Sequence, residues 1–231
     1  MENQTNCKEC QFASSTVFKS LTEENFALLD NEKKSNTYKK NTILYKEGSR
    51  LNGIYCINKG VVKIYKTGNY GKEQIVAFAK SGDIIAYRSV LSNEPACTTA
   101  EVIEESDICF IPGTTLFTIL KNNSTFALSI LQLTCKELDI ANKFIKDIAQ
   151  KNVRVRLAEV LLKLDDNFGL DAEGFIKVTL TREDLSNVVG TATESVIRLL
   201  SDFKNEKLIF LSGKKIKLLE KKQLQKISSL D

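Results

Sequence analysis

Three patterns of hydrophobic and polar positions follow one another along the chain. Residues 1–20 are polar and carry a Cys-x-x-Cys pair. LTEENFALLD, Leu21 to Asp30, predicts a short helix with Leu21, Phe26 and Leu29 on one face and Thr22 as its cap. From Ile43 to Ile111 short apolar runs are cut by glycine turns. GIYCINKGVVKIYK reads as two alternating strands joined at Asn58-Lys59-Gly60. A turn at Gly68-Asn69-Tyr70-Gly71, the strand EQIVAFA and the turn Ser81-Gly82-Asp83 follow. Many short strands at this spacing predict a small antiparallel sandwich or jelly roll.

After Pro112 the period becomes helical. No proline or glycine interrupts Ser124 to Gln150, which predicts one long helix. Leu131, Leu138 and Ile145 recur every seven residues, with Thr134, Ala141 and Ile148 between them. Such a narrow apolar seam suits a parallel two-helix contact, or packing on the chain's own sandwich. Residues 153–168 (VRVRLAEVLLKLDDNF) predict another amphipathic helix and FIKVTL a strand. TREDLSNVVGTATESVIRLLSDF predicts two short helices, and LIFLSGKKIKLL a hairpin turning at Ser212-Gly213. That order is the layout of a winged helix-turn-helix. The fold class is therefore α+β, in four parts: an N-terminal segment (1–20), a β-roll (21–123), a long helix for dimerisation (124–150) and a winged helix-turn-helix (151–231).

In the helix pair, Thr181 and Asp184 have the spacing of a capping box. Leu185, Val188 and Val189 supply a buried face, and Gly190 ends the first helix where a positive φ is wanted. Thr191 and Glu194 repeat the capping spacing. Val196, Leu199, Leu200 and Phe203 then face the core. Glu194, Arg198 and Ser201 fall on the opposite side, where a helix entering a major groove meets base edges. Arginine pairs with guanine O6 and N7, and glutamate accepts from cytosine N4. The plainer alternative makes Glu194 a cap and Arg198 its i+4 ion-pair partner. Lys214, Lys215 and Lys217 would form a wing suited to phosphates. The candidate DNA-contact set is Thr181, Arg182, Thr191, Thr193, Glu194, Ser195, Arg198, Lys214 and Lys215.

Composition narrows the classes. The 231 residues are 42% hydrophobic and 27% charged, values of a globular protein. No apolar run is long enough for a membrane span, and MENQTNCKECQ lacks the features of a secretory signal. A cytoplasmic, reducing location is expected, with the six cysteines as thiols or ligands. There is no histidine, which removes Ser-His-Asp and Cys-His catalysis and the commonest zinc ligand. With no phosphate loop or paired-carboxylate motif either, no enzyme is expected. Net charge is only +4, but Lys204 to Asp231 holds eight lysines against three acids. Charge alone reads that stretch as a solvated, lysine-rich tail.

The stretch LTREDLSNVVGTATESVIRLLSDFKNEKLI, residues 180–209, resembles the CRP/FNR family of bacterial transcription factors, and the likeness runs from about Phe18 to about Leu218. The resemblance implies a homodimer that reads a TGA-containing palindrome in double-stranded DNA, with RNA polymerase as partner. Glu194 and Arg198 hold the two places of the family's E-x-x-x-R. Thr193 stands where the cyclic-AMP branch carries an arginine, and Ile197 where the oxygen-sensing branch carries a serine. The sandwich resembles the family's cyclic-nucleotide-binding fold, with Gly48, Gly60 and Gly82 at its turns. The implied effector pocket comprises Gly82, Asp83, Tyr87, Arg88, Cys97 and Thr98. The Arg-Ser pair that holds the phosphate in cyclic-AMP binders falls on Cys97-Thr98, so an unidentified small-molecule effector other than cyclic AMP is expected.

The oxygen-sensing branch holds a [4Fe-4S] cluster by C-x2-C-x5-C plus one cysteine near the sandwich end. Those places fall on Cys7, Cys10, Thr16 and Cys109. With one ligand missing, no cofactor is expected. The alternatives are an iron-sulfur site on Cys7, Cys10 and Cys109 with Glu9 or an open position as the fourth, or a Cys7–Cys10 redox pair. A further alternative is a sensor module that acts through protein contact.

Overall fold

The computed structural model describes Cys7, Cys10 and residues 16–229. The chain divides into two units, residues 1–71 with 75–139 and residues 72–74 with 140–231.

In the first unit a 3-10 turn, Val17–Ser20, precedes α1 (Glu23–Glu32). Thr22 caps α1 reciprocally: its hydroxyl accepts from Asn25 N at 3.3 Å, and the Asn25 side chain accepts from Thr22 N at 3.3 Å. Eight strands follow: β1 (Lys34–Tyr38), β2 (Ile43–Tyr45), β3 (Gly53–Lys59), β4 (Val61–Thr67), β5 (Glu73–Lys80), β6 (Ile84–Ile85), β7 (Thr99–Val102) and β8 (Ser106–Pro112). The short helix α2 (Tyr87–Ser92) lies between β6 and β7. The strands form two four-stranded sheets, β1-β8-β3-β6 and β2-β7-β4-β5. β3 and β4 are consecutive yet lie in opposite sheets, so Gly60 turns a corner between layers. It does so at φ +99°, and a Cβ there would sit 2.0 Å from Ser106 Oγ.

Ile57, Val62, Ala100, Val102 and Ile108 fill the space between the sheets. The outer face of the first sheet, through Ile54, Ile84 and Ile111, is covered by Leu116 and Ile119 of α3 (Gly113–Asn122) and by Phe126 and Ile130 of α4 (Ser124–Gln150). Each such side chain stabilises by roughly 1.5–3 kcal/mol on full burial. Beyond Ile130 the long helix loses that cover. Leu131, Leu138, Ile140 and Ile145 stand 57%, 62%, 59% and 66% exposed. The predicted seam is thus an uncovered apolar stripe rather than part of the β-roll core.

The second unit contains α5 (Val153–Phe168), α6 (Arg182–Val189), α7 (Thr193–Asn205), the hairpin β9 (Ile209–Ser212) and β10 (Lys215–Leu218), and α8 (Lys221–Ser228). Leu157, Leu161, Leu185, Val196, Leu200, Phe203 and Leu224 are all within its core.

Three expectations are corrected here. FIKVTL is not a strand. Asp171 Oδ1 accepts from Glu173 N and Phe175 N, at 3.0 and 2.9 Å, and folds the chain into a turn. Ile176 N then donates once to Ile216 O at 2.9 Å, while Phe175, Ile176, Val178 and Leu180 are buried without a ladder. The hairpin turns one residue later than expected, at Gly213-Lys214, because Lys215 pairs with Ser212. The lysine-rich end is not a free tail. α8 buries Leu224 completely, and Lys221 pairs with the buried Asp165 of α5. Among the described residues no helix is long and apolar enough to cross a membrane.

Candidate nucleic-acid interface

α6 and α7 are set by local chemistry. Thr181 N and Oγ1 both donate to Asp184 Oδ2, at 3.0 and 2.6 Å, and Asp184 N donates back to Thr181 Oγ1 at 2.9 Å. The capping box is therefore closed, and the Thr181 hydroxyl is engaged within it. Gly190 ends α6 at φ +73°, and Ser186 O accepts from Gly190 N at 2.9 Å and Thr191 N at 3.1 Å. Because Thr191 N is bound back into α6, α7 begins later than expected. Its N-cap is Ala192, which makes no side-chain cap, so the expected Thr191–Glu194 capping box is absent. The first amides of α7 thus carry no side-chain acceptor, the condition under which a helix start accepts a phosphate.

Val196, Leu200 and Phe203 of α7 are fully buried, and Leu199 is half-buried. Glu194, Ile197, Arg198 and Ser201 are exposed, as the spacing predicted for Glu194, Arg198 and Ser201. Ile197 is 51% exposed, an apolar group on a polar face. Thr193 and Ser195 are half-buried, and the Thr193 hydroxyl lies 3.0 Å from that of Ser186, tying α7 to α6.

The predicted wing cations divide. Lys215 Nζ donates to Asp171 Oδ2 at 3.1 Å and lies over the Phe175 ring, and Lys217 Nζ donates to Glu173 O at 2.9 Å. Both tie the hairpin to the loop before α6, and the Lys215 side chain stays 48% exposed beside its partner. Lys214 is exposed at the hairpin tip. Arg182 turns onto that tip and donates to Gly213 O at 3.0 Å, with burial lowering its pKa.

Arg156 on α5 is a residue that sequence reasoning missed. Its Nε donates to Val189 O at 3.0 Å, NH1 to Lys151 O at 2.6 Å and Ile148 O at 3.3 Å, and NH2 to Gly190 O at 3.4 Å. One guanidinium thus ties the ends of α4 and α6 to α5. A Cβ on Gly190 would also lie 3.4 Å from Ile148 Cδ1, so Ile148 packs on the helix-turn-helix turn as well as continuing the seam.

In the β-roll the expected effector residues lie on the β5–β6 turn, on α2 and just before β7. Gly82 and Asp83 form the β5–β6 turn, where Asp83 Oδ2 accepts from Lys80 N at 2.9 Å and burial raises its pKa. Cys97 is exposed, with its carbonyl accepting from Lys66 Nζ at 2.8 Å; Thr98 is buried and hydrogen-bonds Tyr45, whose phenol burial pushes up to about 12. Tyr87 and Arg88 instead face the long helix. The buried Tyr87 hydroxyl is directed at Thr134 and Glu137, and Arg88 Nε pairs with Glu137 at 3.2 Å. They couple α2 to α4, while Cys97 N donates to Ser89 Oγ of the same short helix at 3.2 Å and Arg88 stays within electrostatic reach of Tyr45, which Thr98 bonds.

Cys7 packs against the outer cluster of the first sheet, the Cys10 thiol lies 3.6 Å from Asn58 Oδ1 of β3, and Thr16 is engaged as an N-cap, accepting from Phe18 N at 3.4 Å. Glu9 lies outside the described residues. Cys56, which the sequence pattern passed over, is the register partner of Cys109, but among the described residues no three His, Cys, Asp or Glu side chains are gathered to hold a metal, so the placement does not fit the cluster that the resemblance implied.

Two family models match the chain in order, a cyclic nucleotide-binding domain over residues 35–123 and a Crp-like helix-turn-helix domain over residues 155–227. The chain belongs to the CRP/FNR family. Its relatives include the Fumarate and nitrate reduction regulatory protein of Vibrio cholerae, 28% identical over 229 residues, 97% of this chain and 90% of that protein. The transcriptional activator protein Anr of Pseudomonas protegens is 25% identical over 226 residues, 96% of this chain and 92% of that one. Among solved structures, FixK2 from Bradyrhizobium japonicum superposes with a TM-score of 0.76 at 24% identity, covering 86% of this chain and 98% of that one. CooA from Carboxydothermus hydrogenoformans gives 0.73 at 23% identity, over 93% and 96%. This CRP/FNR chain is a DNA-binding transcription regulator, not an enzyme.

Proposed function

We propose that the protein acts as a homodimer, reads a TGA-containing palindrome through Glu194 and Arg198, and responds to an effector other than cyclic AMP. The observation that carries this reading is the division of α7: one face fully buried, the other presenting Glu194, Ile197 and Arg198 next to an uncapped helix start. The exposed Leu131, Leu138 and Ile145 stripe supports pairing of two copies through α4. Two reading helices would then address half-sites roughly 34–36 Å apart. Arg88 and Tyr87 link the effector-side helix α2 to the pairing helix, a route by which an effector would alter the dimer. Against cyclic AMP, Cys97 and Thr98 supply no cation, Lys66 is paired with Glu47 at 2.7 Å, and Arg88 with Glu137. RNA polymerase as partner and action in the cytoplasm follow from the family. The test is fluorescence anisotropy on a TGA palindrome and its scrambled version. Preference for the palindrome that disappears in Arg198→Ala supports the reading; equal affinity of the wild type for both sequences overturns it.

A further inference from the structure

Ile197 is the apolar exception on the exposed side of α7. Val196, Leu200 and Phe203 of that helix are fully buried, and Leu199 is half-buried. Ile197 points away from that core and stays 51% exposed. It is the fifth residue of the helix, three places after Glu194 and one before Arg198. Glu194, Ile197, Arg198 and Ser201 fall within one side of a helix of 3.6 residues per turn, and all four are exposed. The isoleucine therefore faces whatever Glu194 and Arg198 face.

Its chemistry limits what it can read there. Every base pair presents hydrogen-bond donors and acceptors in the major groove, but only thymine presents an apolar group, its C5-methyl. Isoleucine neither donates nor accepts a hydrogen bond. Laid over a polar base edge, it would strip water from that edge and return nothing, which is unfavourable. Laid over a methyl, it removes apolar surface of both groups from water. A β-branched side chain on a helix is already stiff at χ1, so the contact costs little side-chain entropy.

We propose that Ile197 reads a pyrimidine C5-methyl in each half-site. Thymine is then the preferred base at that place, and 5-methylcytosine, which carries the same methyl, is a better ligand there than cytosine. The inference rests on the reading of the palindrome by Glu194 and Arg198, and adds to it one base chosen by apolar contact with no hydrogen bond.

The experiment measures anisotropy of wild type, Ile197→Val and Ile197→Ala on a TGA palindrome with A·T pairs on both sides of each TGA. Each thymine is replaced in turn by deoxyuridine, in both half-sites together, which deletes the methyl and leaves every hydrogen-bonding group in place. At one position wild type should lose about fourfold in affinity per half-site, the worth of one methyl-sized apolar group. Ile197→Val should show part of that loss, and Ile197→Ala should bind the thymine and uracil duplexes equally. At the same position wild type, but not Ile197→Ala, should prefer 5-methylcytosine to cytosine. Circular dichroism checks that the variants are folded. A wild type that prefers the palindrome to its scramble yet binds every uracil duplex alike overturns the inference and leaves the reading by Glu194 and Arg198 standing. A uracil penalty that persists in Ile197→Ala also overturns it, since another group then meets the methyl. A wild type with no preference for the palindrome overturns both.

Discussion

Arg156→Ala removes the guanidinium that ties α5 to the ends of α4 and α6. Of its four bonds, those to Lys151 O at 2.6 Å and Val189 O at 3.0 Å are well formed, and those at 3.3 and 3.4 Å are weak. A hydrogen bond from a charged donor contributes about 1.5–3 kcal/mol, so the two good ones sum to about 3 kcal/mol at the low end. Arg156 is half-buried, and water re-solvates part of what is lost, while favourable charge at the C-terminus of α6 adds about 0.5 kcal/mol. The net cost expected is about 2 kcal/mol. For a unit of this size that lowers the melting temperature by about 8–16 °C. Calorimetry of the full chain should show the shift. Amide hydrogen exchange should assign it to α6 and α7, whose protection falls while that of the β-roll is unchanged. Arg156→Lys keeps the charge but not the fork, and should recover at most about half. If Arg156→Ala melts within about 2 °C of wild type, the guanidinium does not hold the reading helices and the reasoning fails.

Leu138→Asp places a charge in the exposed stripe of α4 and should shift the protein from dimer to monomer in sedimentation; a monomeric wild type at micromolar concentration would refute the seam. Arg198→Ala should cost about 1–3 kcal/mol on the correct site and little on a scrambled one, whereas Lys214→Ala should weaken both alike and reduce the salt slope by about 0.9. Lys215→Ala should instead loosen the hairpin, through loss of its Asp171 pairing, and cost stability before it costs affinity. Calorimetry with cyclic AMP should give no binding; sub-micromolar affinity would restore Arg88 to the pocket.

Much of the fold was legible because its signals are local. α4 spans Ser124–Gln150, the stretch without proline or glycine, and α5 spans Val153–Phe168, as the periodicity indicated. The Thr181 box and the Gly190 stop are made by residues three or four apart. What failed depended on neighbours outside the window. FIKVTL has strand-forming residues, but Asp171 folds the segment before it can pair. Thr191 has the chemistry of a cap, but its amide is already bound to Ser186. Lys215 and Lys217 carry charge suited to phosphate, and their residue types gave no sign that Asp171, Glu173 and the Phe175 ring of a distant loop also meet them. Arg156 was invisible because its partners are backbone carbonyls, which no residue type advertises.

The cysteines make the same point more sharply. A ligand pattern such as C-x2-C-x5-C describes chain spacing, and it is informative only where the chain itself brings the ligands together. Matched that way, Thr16 leaves the set one short. Cys56 and Cys109 meet for another reason: β3 and β8 run antiparallel from Gly53 opposite Pro112 to Lys59 opposite Asp107. Whatever occupies position 56 then faces position 109, and the 52 residues between them carry no signal.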